Sequence, residues 1–62
     1  MKSGSNALLS AAETADMLDM NVETLYRQWR SLGLPGLYIG RKLKFRLGDV
    51  ESWIERKIEE AA

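Results

Sequence analysis

The chain has 62 residues, with nine Lys and Arg against nine Asp and Glu, no cysteine and no histidine. That length allows one domain with a marginal core, and the missing residue types exclude a disulfide or thiolate-metal staple. They also remove the commonest general base and nucleophile, so a non-enzymatic protein without a cofactor or metal is expected.

Residues 1–7 are small and polar and read as a disordered N-terminal arm, which leaves residues 8–60 for the folded domain. No apolar leader follows Lys2 and no run approaches the ~20 apolar residues that cross a bilayer, so a cytoplasmic protein without membrane contact is expected. Structure begins at Leu8-Leu9. Ser10 with Glu13 three residues later is a capping box, which predicts a first helix from Ala11 to Leu18. Leu9, Ala12, Ala15 and Leu18 would share its inner face. Asp19-Met20 leaves room only for a tight turn. Asn21 then caps a second helix from Val22 to about Leu32, stopped by Gly33. Val22, Leu25, Tyr26, Trp29 and Leu32 form its inward stripe; Glu23, Thr24, Arg27, Gln28, Arg30 and Ser31 fall outside.

Leu34-Pro35-Gly36 is a turn, after which the apolar period changes from 3.6 to 2. Leu37 and Ile39 alternate with Tyr38, and Leu43, Phe45 and Leu47 alternate with Lys44 and Arg46. With Gly40-Arg41-Lys42 as the loop, this predicts a β-hairpin with an apolar inner face and Tyr38 outside. Asp49 opens a last helix to about Glu60, buried along Val50, Trp53, Ile54 and Ile58. The order defines an α+β fold: a small winged helix-turn-helix, with a helix-turn-helix, a two-stranded hairpin wing and a C-terminal helix.

The zero net charge conceals a segregation. Between Thr24 and Gly48 stand Arg27, Arg30, Arg41, Lys42, Lys44 and Arg46 with no acid, while all nine acids lie on either side. Such a chain presents one positive face and suits double-stranded DNA as a partner. Thr24, Arg27, Gln28 and Ser31 follow helical spacing, with Arg30 near their edge, and Arg and Gln are the residues that read guanine and adenine in the major groove. Arg41, Lys42, Lys44 and Arg46 on the hairpin suit phosphates or a narrow minor groove, although edge strands also carry cations against aggregation. The acids of the first and last helices face away from DNA, either for solubility or to meet a basic surface on a neighbour.

Taken together, Leu8-Leu9-Ser10, Glu13, Ala15, Leu18, the Asn21-Val22 helix start, Gly33-Leu34-Pro35, Ile39-Gly40-Arg41-Lys42, Phe45-Arg46 and Asp49-Val50-Glu51-Ser52-Trp53-Ile54 resemble the excisionase-type, MerR-like winged helix-turn-helix proteins. The resemblance covers Leu8 to Ile58. It implies major-groove docking through Thr24, Arg27, Gln28 and Arg30, and contact with the adjacent minor groove or backbone through Arg41, Lys42, Lys44 and Arg46. It also implies a recombination directionality factor that bends attachment-site DNA, associates with its own copies there and directs a partner integrase toward excision, in a bacterial host's cytoplasm if phage-encoded. Small MerR-like or AlpA-like transcriptional regulators share the fold and remain the alternative. Asp19, where a small or glycine residue is common, and Glu23, at the start of the recognition helix, depart from the family pattern.

Overall fold

The computed structural model describes residues 7–62, folded as β1 (Leu8–Ser10), α1 (Ala11–Met17), α2 (Val22–Gln28), β2 (Leu37–Ile39), β3 (Lys42–Arg46) and α3 (Leu47–Ala61). The expected arm falls on residues 1–6, outside the described residues, except for Ala7, whose carbonyl accepts a hydrogen bond from the Leu47 N–H at 2.9 Å.

Ser10 starts α1 as expected. Its Oγ accepts from the Glu13 N–H at 3.1 Å, and Glu13 Oε1 accepts from the Ser10 N–H at 2.9 Å, so two otherwise unpaired donors are satisfied reciprocally. The buried face of α1 is Ala11, Thr14 and Ala15, and Ala12 is exposed. The expected face through Ala12 is therefore displaced. Two adjacent alanines offer no contrast in hydrophobicity, and Thr14 is buried at no polar cost because its hydroxyl donates to the Ser10 carbonyl at 2.9 Å.

Both helices of the helix-turn-helix close in the same way. After α1, the Met20 N–H donates to the Ala15 carbonyl and the Asp19 N–H to that of Asp16; after α2, Leu34 donates to Trp29 and Gly33 to Arg30. This double bond pattern is the Schellman motif, and it requires a left-handed residue at its centre. Gly33 takes φ 75° freely, whereas Asp19 is held at φ 56°. α2 ends at Gln28, short of the expected Leu32, but the chain keeps turning, with the Leu32 N–H donating to the Gln28 carbonyl at 2.9 Å, until Gly33 ends it. Asn21 Oδ1 accepts from the Glu23 N–H at 2.8 Å and caps the start.

The wing has three strands rather than two. β3 lies in the centre, antiparallel to both neighbours, with β1 on one edge and β2 on the other. β1 joins because the capping box begins α1 only at Ala11, which leaves Leu8–Ser10 extended beside Phe45. Gly40 and Arg41 make the two-residue turn between β2 and β3, and Lys42 is already paired with Ile39.

Between sheet and helices lies a core of Ala11, Ala15, Leu25, Leu34, Leu43, Phe45 and Val50. Gly36 is required by close approach. A Cβ there would stand 2.7 Å from Phe45 Cε2 and 3.1 Å from Trp29 Cζ3, inside the van der Waals limit of both rings. α3 begins at Leu47, two residues before Asp49. Arg46 is its N-cap, with no side-chain hydrogen bond to the helix, and pairs instead with Asp49 at 3.3 Å. Trp53 Nε1 donates to the Leu32 carbonyl at 2.9 Å and so ties α3 to the closing turn of α2. Val50 is fully buried and Trp53 and Ile54 half-buried, but Ile58, expected in the buried stripe, is 64% exposed. α3 runs past the domain body, and its last turns find nothing to cover them.

Candidate nucleic-acid interface

On α2 the side opposite the core is polar. Leu25 is fully buried, and Glu23, Arg27 and Gln28 are exposed, with Thr24 half-buried beside them. Arg27 follows Leu25 by two residues, 200° around the helix, so it stands at the middle of the outward side. Thr24, Gln28 and Ser31 flank it within one helical turn. Tyr26, expected on the inward stripe, is 49% exposed at the margin of this side. A helix only two turns long buries a narrow stripe, and Leu25 with Trp29 fills it.

Arg30 lies just past the end of α2, in the turn that leads to Gly33. Its guanidinium sits 4.9 Å from the centre of the Trp29 ring, a cation–π contact that fixes its direction. Trp29 is the joint between helix and wing. Its ring meets Phe45 of β3 at 5.9 Å and Tyr38 of β2 at 6.4 Å, both edge-on.

The strand register reverses the expected faces of β2. Opposed residues in a sheet share a face, and Tyr38 opposes Leu43, while Leu37 opposes Lys44 and Ile39 opposes Lys42. Tyr38 therefore lies on the inner side against Trp29. Leu37 and Ile39 lie on the outward face with Lys42, Lys44 and Arg46, and both are exposed. Leu8, opposite Arg46, joins them there.

The eight residues picked out from the sequence thus occupy four places. Thr24, Arg27 and Gln28 share the outward side of α2. Arg41 is exposed in the hairpin turn, and Arg30 leans on Trp29 between helix and wing. Lys42, Lys44 and Arg46 lie on the sheet face turned away from the core, where Lys44 is half-buried between Ser10 and Leu37 and Arg46 is partly neutralised by Asp49. The outward Leu8, Leu37 and Ile39 were missed, because alternation alone does not say which of two faces a strand buries.

Among the described residues no group of three or more acidic side chains is placed to hold a metal ion, and no helix is long and apolar enough to cross a membrane.

Two helices joined by a tight turn, with a hairpin wing beside the second, define a winged helix-turn-helix. The chain belongs to the helix-turn-helix domain family, whose model matches residues 8–58, and is accordingly a small DNA-binding protein. No curated protein and no solved structure is significantly similar to it.

Proposed function

We propose that this protein is an architectural factor of excisionase type. In this reading α2 enters the major groove of a recombination attachment site, and the hairpin grips the backbone or the adjacent minor groove. The bound DNA is bent, so that a partner integrase excises rather than integrates. The protein performs no chemistry and takes no cofactor; it works in the cytoplasm, where its DNA lies.

The observation that carries the reading is the polar outward side of α2 centred on Arg27, next to a turn that presents Arg41. Arg27 and Gln28 supply paired hydrogen bonds to base edges, Thr24 supports them, and Arg30, Arg41, Lys42, Lys44 and Arg46 meet phosphates. A single module covers about 600–1,000 Å² of DNA interface, at the small end for specific recognition. If about four cations meet phosphates, the log–log salt slope is near −3.6, and going from roughly 50 to 200 mM salt weakens binding about 150-fold. One copy binds modestly. Occupancy then needs several copies associating along the DNA, or a second bound protein, as a directionality factor has.

The test is a gel-shift titration on attachment-site DNA with and without integrase, with a bend assay on permuted fragments. Bent, cooperative complexes that integrase strengthens are expected. Binding confined to a promoter would identify a MerR-like or AlpA-like transcriptional regulator instead, and failure to bind DNA at low salt would overturn both readings.

A further inference from the structure

Trp29 stands at the junction between α2 and the wing, and polar side chains rim it. The Arg30 guanidinium sits 4.9 Å from the centre of its ring, and the Tyr38 ring of β2 meets it edge-on at 6.4 Å. Tyr26 stands three residues before Trp29 and four before Arg30, so it neighbours both on the helix surface, one turn nearer the start of α2. Packing against Phe45 holds Trp29 itself in place. The cluster lies where helix and wing meet, to one side of the outward centre of α2 at Arg27.

These side chains are open and uncommitted. Tyr26 is 49% exposed and Tyr38 52%, although Tyr38 lies on the inner side of the sheet. Among the described residues neither hydroxyl makes a hydrogen bond, and Arg30 has no acidic partner. The acid nearest to them along the chain, Glu23, stands a further turn toward the start of α2, seven residues from Arg30. A guanidinium anchored on an aromatic ring, with two free hydroxyl donors beside it, suits an oxyanion.

We propose that this junction seats the phosphodiester backbone of the DNA strand that separates the groove entered by α2 from the groove beside the wing. The inference rests on the docking reading above. Adjacent major and minor grooves are divided by a single sugar–phosphate backbone, so a protein that reaches into both must straddle it. The surface that meets this backbone is the line between α2 and β2, where Tyr26, Arg30 and Tyr38 stand. The two phenols donate to non-bridging phosphate oxygens, and Arg30 supplies the charge. Trp29 packs on both elements, so a phosphate held here fixes helix and wing on the duplex together.

The test measures Tyr26→Phe, Tyr38→Phe and the double variant by gel shift on attachment-site DNA and on DNA of unrelated sequence. A third set of duplexes carries a methylphosphonate, which removes one phosphate charge, at each position of the site in turn. Phe keeps the ring and its packing, so both variants should melt like wild type. Each is expected to bind about five- to tenfold more weakly on either DNA, as loss of one hydrogen bond to a charged group requires. The log–log salt slope should stay unchanged, whereas Arg30→Ala should lower its magnitude by about 0.9. The methylphosphonate penalty should shrink in the double variant only on the strand between the two grooves. Phe variants that bind like wild type overturn the proposal, since ring contacts alone would then suffice. So does weakening confined to one base pair, which would make the tyrosines base readers, or coupling to phosphates elsewhere. Wild-type protein that binds no DNA at low salt overturns the docking reading itself, and the phosphate seat with it.

Discussion

In the proposed complex α2 and the hairpin face the same ligand, yet they are held very differently. α2 is fixed at every point: Asn21 caps its start, Leu25 anchors its middle, a Schellman closure at Gly33 ends it, and Trp29 wedges against Phe45 and Tyr38. β2 is an edge strand whose three residues are all exposed, held by its pairing with β3 and by the Tyr38 contact. The difference matches what each must do. Paired hydrogen bonds to a base edge are directional and fail if the donor moves, so their support must be stiff. A cation beside a phosphate works over several ångströms and tolerates a looser mount. The proposed docking gives base reading to the element held more firmly.

The two regions meet at one residue. Phe45 is fully buried, touches Trp29 and crowds Gly36, so it joins the wing to the recognition helix. Phe45→Ala is expected to cost about 3–5 kcal/mol, enough to unfold most of a domain this small. Circular dichroism melting measures it. A variant that melted normally would show that helix and wing stand independently.

Next in size is Arg27→Ala. It should weaken specific binding by about 1–3 kcal/mol, relax the preference at one base pair and leave thermal stability near wild type. Binding measured on a set of single-base variants of the site checks this. Uniform weakening across all of them would demote Arg27 to a phosphate contact and erase the contrast with the wing.

Arg41→Ala is the counterpart on the other side. It should lower affinity equally for all sequences and reduce the magnitude of the log–log salt slope by about 0.9, as loss of one phosphate contact requires. A change in base preference instead would mean that the turn reads the minor groove.

Most of this arrangement was legible in the residues, and the errors have a common origin. The capping box at Ser10 and Glu13, the Asn21 cap and the Gly33 stop are local chemistry, and all appear where the side chains dictate. Faces were harder. A period-2 pattern marks alternation but not its sign, and the sign of β2 is set by its register on β3, where Leu37 stands opposite Lys44. The third strand depended likewise on a long-range pairing of Leu9 with Phe45 that no local signal announces. On β3 the sign was legible, because the strongly apolar Leu43 and Phe45 alternate with Lys44 and Arg46, and the cations do lie on the face turned away from the core. Ile58 continued a correct helical stripe beyond the end of the core.

The smallest expected effect concerns the turn that sets the angle between α1 and α2. Both helix closures have the same hydrogen bonds, but Gly33 fills one and Asp19 the other, at φ 56°. A left-handed conformation costs an L-residue roughly 1–2 kcal/mol, somewhat less for Asp, and glycine avoids this at the expense of a more flexible unfolded chain. Asp19→Gly should therefore stabilise the fold by a net of about 0.5 kcal/mol, visible as a rise of a few degrees in Tm for a domain of this size. It also removes one acid from the turn preceding α2, so DNA affinity should rise slightly, and more at low salt than at high. If Tm rose with no salt-dependent gain in affinity, Asp19 would lie outside the electrostatic reach of the DNA. The DNA surface would then begin at Thr24 and Arg27, with the turn before α2 acting only as a hinge that holds the helix in place.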